Sequence, residues 1–244
     1  MVVAERVDLK PPSSELSQYL LDAVVFEDEN CLVLNKPAGM AVHAGTSENA
    51  GIIELLRMTV QDLTPYLELV HRLDKPTSGC LLVAKSRQFL TLCQDLLVNR
   101  QVSKTYHALV KGQWSGGERT VDAALLRYQR QDGESAVKVD SSGKSAVTRF
   151  RPLKRFNNAT LVEAMPITGR THQIRVHASH IGHPIAMDEK YGCWQFNRQI
   201  TQLGLKRLFL HAASLVFEDA TKGRMFGVCV PLSKSLRILL QKLN

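Results

Sequence analysis

No run of apolar residues in this 244-residue chain approaches the roughly 20 that a membrane-spanning helix needs. The opening stretch, Met1 to Ser14, also lacks the long apolar segment of a secretory signal. A soluble cytoplasmic protein is therefore expected, with no membrane partner. Cysteine is scarce and badly spaced for its structural uses. The five (Cys31, Cys80, Cys93, Cys193 and Cys229) are odd in number and form no CxxC pair, which argues against a disulfide framework and a structural zinc site. Reduced, mostly buried thiols are the expectation. Internal repeats, a Gly-rich nucleotide loop, a Walker pattern and HExxH are all missing, so neither cofactor nor metal is expected.

What the chain does have is positive charge. Lysine and arginine outnumber the acids 31 to 23, giving a net +8 and a pI near 9.4. Arg149, Arg151, Lys154 and Arg155 fall within one short stretch, and Arg127, Arg130, Lys206 and Arg207 add to the excess. Such a surplus suits a polyanion such as nucleic acid, although a solvated basic surface would read the same way.

Residues 1–20 hold Lys10-Pro11-Pro12-Ser13-Ser14 and little apolar periodicity, and read as a linker or N-terminal arm. Order is expected from about residue 21 to 244 as one domain. Val24-Val25-Phe26 and Cys31 to Leu34 flank a polar turn and predict a hairpin. A short helix is expected over Gly51 to Val60, and strands over Leu67 to Val70 and Cys80 to Ala84. Phe89, Leu92, Cys93, Leu96 and Leu97 mark a helix with Ser86 as its cap. Further strands are predicted at Thr105 to Val110, Ala136 to Val139, Ala146 to Arg151, Ala159 to Met165, Leu208 to Phe217 and Met225 to Val230. Thr171 is expected to open a helix through His180, and Leu232, Leu236, Leu239 and Leu240 form the stripe of a C-terminal one. Strands outnumber helices and connections are short, which favours an α+β fold with a mixed, mostly antiparallel sheet.

Three polar constellations interrupt this pattern. His71-Arg72-Leu73-Asp74-Lys75-Pro76-Thr77-Ser78-Gly79 lies between two apolar strands, where a rigid scaffold presents reactive groups; an ordinary turn with a capping aspartate would look similar. Ile167-Thr168-Gly169-Arg170-Thr171-His172-Gln173-Ile174-Arg175-Val176-His177 carries an arginine, Arg175, suited to pairing with a buried carboxylate, because guanidinium stays charged and binds two oxygens at once. Lys104-Thr105-Tyr106 places one aromatic hydroxyl on a strand. His172, His177 and His183 suggest a metal-dependent hydrolase only weakly, since their spacing matches no ligand motif and no acid lies between the first two.

The segment His71 to Gly79 resembles the HRLDxxTSG motif of the RluA-type pseudouridine synthases. The likeness extends in order to Asn35-Lys36-Pro37-Ala38-Gly39, Lys104-x-Tyr106, Gly169 to His177, Gly182-His183-Pro184-Ile185 and Leu210-His211-Ala212. Gln113-Trp114 and the stretch from Phe196 to His211 look closest to the RluC branch, which modifies large-subunit ribosomal RNA. Members of that branch carry an N-terminal S4 RNA-binding module, for which residues 1–20 are too few.

The resemblance implies an isomerase that breaks the N1–C1′ bond of uridine and rejoins C1′ to C5. It gives Asp74 the catalytic role, either as nucleophile at C1′ or as base toward a ribose proton. Arg175 becomes its counter-ion, Tyr106 the residue that stacks on uracil, and Ile174 an apolar wall. The target base should be flipped out of its stack, with Arg72 filling the vacated space. His71, Thr77, Arg170 and His172 join the expected substrate-binding set. Ribosomal RNA is the expected partner, a transfer RNA the alternative, and no obligate protein partner is evident. A catalytically silent RNA-binding protein on the same scaffold is disfavoured by the presence of Asp74, Tyr106 and Arg175 together.

Overall fold

The computed structural model describes residues 12–44, 50–60, 64–219 and 222–243. Of the expected N-terminal arm, residues 1–11 lie outside the described residues. The remainder departs from expectation: Ser14–Asp22 forms a helix, α1. Ser13 begins it by accepting the Leu16 backbone N–H at 3.2 Å, a standard N-cap. Leu20 is fully buried and Leu16 packs beside it, so the polar signal around Ser13 marks a helix start.

The predicted hairpin is β1 (Val24–Glu27) and β2 (Cys31–Lys36), antiparallel. Asp28 closes its turn by accepting the Asn30 and Cys31 N–H groups at 2.9 and 3.0 Å, the local bonding that suits aspartate to turns. Helix α2 (Ile52–Val60) follows, then the two-residue β3 (Glu68–Leu69) and β4 (Ser78–Ala84). Every residue of β4 is buried, as its unbroken apolar run requires of a central strand. Helix α3 (Arg87–Val98) is capped by Ser86, whose hydroxyl accepts from Phe89 N–H at 3.2 Å, and it buries Phe89 and Cys93.

Strands β5 (Ser103–Lys111), β6 (Arg119–Asp122), β7 (Leu125–Gln129), β8 (Ser135–Val139), β9 (Val147–Arg155) and β10 (Ala159–Pro166) come next. Neither β6 nor β7 was expected, both being short, polar and largely exposed. Helix α4 (Gln173–His180) begins two residues later than predicted, because His172 adopts a left-handed backbone with φ +55°. Helix α5 (Trp194–Gln202), also unexpected, shows core residues only at Phe196 and Ile200. Strands β11 (Leu210–Asp219) and β12 (Arg224–Cys229) and helix α6 (Lys234–Lys242), which buries Leu236 and Leu239, complete the chain.

Ten strands form one sheet in the order β1-β2-β4-β11-β5-β10-β9-β6, with β12 on β11 and β3 on β4; β7 and β8 pair separately. All pairings are antiparallel except β4 with β11, joined in parallel at Ser78–His211 and Gly79–Ala212. The α+β reading therefore holds. One core, around Leu34, Ile52, Leu56, Leu81 and Phe89, lies under the N-terminal strands; others gather around Phe150 and around Phe209. Each such side chain contributes roughly 1.5–3 kcal/mol by leaving water. Cys31, Cys80 and Cys93 are buried as expected, whereas Cys193 is half-buried and Cys229 exposed. Among the described residues no helix is long and apolar enough to cross a membrane.

The parallel seam sets the site, because it carries the end of the His71–Gly79 segment against the C-terminal half of the sheet. Gly79 there has φ +109°, and a Cβ would collide with the Ala212 carbonyl. Gly79→Ala is expected to destabilise the protein by at least about 3 kcal/mol through backbone strain and overpacking together. Chemical denaturation will measure it, and a loss below about 1 kcal/mol would show that the seam yields.

Candidate active site

Residues 71–77 leave β3, turn, and enter β4, and the turn is tied down on several sides. Thr77 N–H bonds the Asp74 carbonyl at 2.9 Å, and Gly39 N–H bonds the Lys75 carbonyl at 2.8 Å. The Lys36 ammonium, wholly buried, donates to the carbonyls of Pro37, Met40 and Lys75 at 2.8, 2.7 and 3.2 Å. Burial pushes that lysine down to about 7, with the charge of Asp74 opposing the shift. His71 accepts the Leu82 backbone N–H at 3.1 Å through Nε2, and burial pushes it down to about 4. A loop this constrained presents Asp74 in a fixed place.

Arg175, projecting from the first turn of α4, meets it there. Its Nε and Nη2 each donate to the Asp188 carboxylate at 2.8 Å, and its Nη1 reaches Asp74 Oδ2 at 3.3 Å. The Arg175 and Asp188 side chains are 7% and 1% exposed against 25% for Asp74. The inner pair is therefore structural in character, and the outer carboxylate faces the pocket. Asp188 further accepts the N–H groups of Lys190 and Tyr191, both at 3.0 Å. Burial would raise Asp188, but the guanidinium and these two N–H groups outweigh it and hold the carboxyl below its ordinary value of 3.8.

Asp74 lies on a cavity of about 510 Å³ between the catalytic-loop segment, β5 and the start of α4. All nine expected site residues line it: Asp74, Tyr106, Arg175, Arg72, Ile174, His71, Thr77, Arg170 and His172. Burial pushes the Tyr106 phenol upward, with Asp74 adding to it, so the hydroxyl keeps its proton. Ile174 is buried on the wall and Arg72 is exposed at the rim. The Thr77 hydroxyl is buried with no hydrogen-bond partner among the described residues, a state that normally has an explanation. Arg170 donates to the Ser145 carbonyl at 3.1 Å. His172 bonds the Tyr191 hydroxyl through Nδ1 at 2.7 Å and places Nε2 3.9 Å from Asp74 Oδ2.

Four residues of this neighbourhood received no role in the sequence reading: Lys36, Lys104, Asp188 and Tyr191. Lys104 stands two residues before Tyr106 on β5 and lines the same cavity. Burial lowers it, and among the described residues no carboxylate pairs with it. Asp188 and Tyr191 follow the Gly182-His183-Pro184-Ile185 block, but nothing in their spacing ties them to residues 74 and 175. The three histidines once weighed as metal ligands are engaged separately. His177 bonds the Thr148 hydroxyl and the Ala123 carbonyl, both at 2.9 Å, and His183 bonds the Lys111 carbonyl at 2.8 Å. Among the described residues no three His, Cys, Asp or Glu side chains converge as a metal-ligand group.

Residues 30–180 match the family model described as RNA pseudouridylate synthase. The chain is 49% identical to ribosomal large subunit pseudouridine synthase C of Yersinia pestis, over 96% of this chain and 73% of that protein. It is 46% identical to the protein of the same description in Escherichia coli K12, over 99% of this chain and 76% of that one. Among solved structures, human RNA pseudouridylate synthase domain containing 4 superposes with a TM-score of 0.77 at 28% identity, covering 94% of this chain and 97% of that one. Human RNA pseudouridylate synthase domain containing 1 gives 0.71 at 27% identity, covering 88% and 85%.

Asp188→Asn removes a charge from a buried pair and leaves a guanidinium under-compensated, so a loss of at least about 3 kcal/mol is expected near neutrality. The sign with pH follows from the depressed carboxyl. Its stabilisation is present above the unfolded value and is lost as pH falls through the folded one. The gap between wild type and Asp188→Asn should therefore narrow as pH drops below 3.8. Urea titrations across that range will show whether it does; a constant gap would remove the ion pair as the cause.

Proposed function

The chain belongs to the RNA pseudouridylate synthase family and is an RNA pseudouridine synthase, and from that premise we propose that it isomerises uridines of large-subunit ribosomal RNA through Asp74. The observation that carries the residue assignment is the Asp74 carboxylate, a quarter exposed on the cavity while Arg175 holds one of its oxygens at 3.3 Å. The proposal extends to residues 21–244 as one catalytic domain acting in the cytoplasm without a cofactor.

The reaction exchanges a glycosidic C–N bond for a C–C bond within one nucleotide. It needs no net redox change, and it needs the detached uracil to stay put. A pocket beside the carboxylate that bound RNA covers serves that need, because bulk water would compete for C1′. Asp74 acts on the sugar, as nucleophile at C1′ or as base toward a ribose proton, and Arg175 holds the carboxylate in place for either role. Tyr106 offers a ring to stack on uracil and a protonated hydroxyl near C5. Ile174 forms the apolar wall, and the Thr77 hydroxyl, with His71, meets the polar edges of the nucleotide.

Extracting the base from its stack costs a few kcal/mol. Arg72, exposed at the rim and two residues from Asp74, is placed to stack in the gap that the base leaves. Cations surround this entrance. Arg72, Arg100, Lys104 and Arg170 line the cavity, and Asp74 is its single carboxylate. A cavity so lined attracts the phosphates on either side of the target uridine, and its affinity should fall with salt.

Asp74→Asn is expected to abolish pseudouridine formation while RNA binding persists. Release of the C5 hydrogen from labelled uridine measures the first, filter binding the second, and comparable turnover in the variant would refute the assignment. Lys104→Ala should weaken RNA binding and reduce the dependence of log affinity on log salt by about one contact; an unaltered slope would take Lys104 out of phosphate binding. Mapping pseudouridines in ribosomal and transfer RNA from a deletion strain tests the target, and losses confined to transfer RNA would overturn the ribosomal reading.

A further inference from the structure

His172 departs from regular structure in a way its neighbours explain only in part. Its φ of +55° is left-handed, a conformation uncommon outside glycine and found where surroundings enforce it. The ring then sits between Asp74 and Tyr191. The Tyr191 hydroxyl accepts the Val137 backbone N–H at 3.0 Å and lies 2.7 Å from His172 Nδ1. The Val137 N–H takes one lone pair of the phenol, and the phenolic proton goes to Nδ1 in the arrangement that leaves Nε2 to donate toward the Asp74 carboxylate, which can only accept. Nδ1 is then the acceptor nitrogen, and Nε2 carries the imidazole proton.

Nε2 is the nitrogen that faces the carboxylate, 3.9 Å from Asp74 Oδ2. Arg175 Nη1 approaches the same oxygen at 3.3 Å, while Oδ1 has no hydrogen bond among the described residues. One N–H bonds Oδ2 and the imidazole faces that same oxygen, which leaves Oδ1 as the oxygen without a protein partner among the described residues. Tyr191 is itself locked in place. Its backbone N–H bonds Asp188 Oδ1 at 3.0 Å, and its ring lies 5.1 Å from the Arg175 guanidinium.

From this geometry, and resting on the isomerase reading above, we propose that His172 is a positioning residue. Tyr191 fixes its Nε2–H tautomer, and Nε2–H with Arg175 steers Asp74 Oδ2 so that Oδ1 is the reacting oxygen. The contact at 3.9 Å shortens when RNA closes the pocket, as polar contacts in ligand-free sites commonly do. The charged and titratable groups facing the imidazole are Asp74 on the catalytic loop, Arg175 on α4, and Asp188, Lys190 and Tyr191 on the following segment. Burial first, then Arg175 and Lys190, lower His172, with Asp74 and Asp188 opposing, which keeps it the neutral donor described.

Two variants and one spectrum test this. His172→Asn tolerates the left-handed backbone and keeps an acceptor near the Nδ1 position, but loses the group at Nε2. Tyr191→Phe keeps the ring on Arg175 and removes the tautomer lock. Both should fold with cooperative thermal transitions, bind ribosomal RNA with affinity near wild type, and lose roughly tenfold or more in single-turnover rate, as second-sphere changes at catalytic centres do. In Tyr191→Phe the acid limb of the pH–rate profile should also move to higher pH, because Nδ1 no longer accepts a hydrogen bond and takes a proton more readily. Nitrogen-15 spectra of histidine-labelled wild type should show His172 protonated at Nε2. Wild-type rates and profiles in both variants would overturn the proposal, as would weakened RNA binding at unchanged rate, which makes His172 an RNA contact. A spectrum showing Nδ1–H overturns it independently of turnover. Wild-type protein that fails to form pseudouridine would instead count against the isomerase reading, and the spectrum still decides the tautomer.

Discussion

The site depends on how one guanidinium is divided. Arg175 gives two of its N–H groups to Asp188 in a dry, bidentate pair and the remaining arm to Asp74. A single buried carboxylate would satisfy Arg175 fully and hide its own oxygens. A lone Asp74 facing Arg175 would leave the buried guanidinium under-compensated. With both, Asp188 holds the cation in position, and Asp74 feels a fixed positive field while remaining on the cavity wall. Removing a charge from water is costly unless every partner is present, so the three side chains stand or fall as a unit.

That unit spans two halves of the sheet. Asp74 comes from the loop entering β4, and Arg175 and Asp188 come from segments beyond β10. The parallel pairing of β4 with β11 joins the two, and it is brief: Ser78 with His211 and Gly79 with Ala212. Side-chain bonds reinforce it. Ser78 Oγ lies 2.9 Å from His211 Nδ1 and accepts from Arg207 at 2.7 Å, and His211 Nε2 lies 3.0 Å from the Val230 carbonyl. Burial pushes His211 down to about 4, so the ring serves as a neutral bridge with one donor and one acceptor.

Where local chemistry decides structure, the sequence was legible. Ser86 before a 3.6-residue apolar period marks α3, and alternating or unbroken apolar runs mark β4, β5 and β10. The mostly antiparallel sheet followed from short connections. What could not be read depends on contacts between distant residues. The two-residue delay of α4 goes with a left-handed His172 whose ring bonds Tyr191, nineteen positions away. Helix α1 was hidden because its apolar signal is short and gains meaning only where Leu20 meets the core. The nine expected site residues lie together on one cavity, yet Asp188 went unassigned. A carboxylate that acts by holding an arginine has no spacing to announce it.

The electrostatics of the cavity then join the net charge to the chemistry. A surplus of +8 is by itself only an expectation of polyanion binding. Its placement matters more, because Arg72, Arg100, Lys104 and Arg170 line one cavity whose single carboxylate is Asp74. Phosphates drawn to those cations carry a nucleotide to the wall where the carboxylate waits, and their charge offsets cations that would otherwise repel one another in a confined space. Lys104 is half-buried with no carboxylate to answer it among the described residues, so its desolvation is uncompensated until an anion arrives. The empty pocket is thus electrostatically incomplete, and binding RNA completes it. The cations that recruit the substrate and the cation that holds Asp74 therefore act in one field, with Asp188 keeping Arg175 from joining the recruiting set.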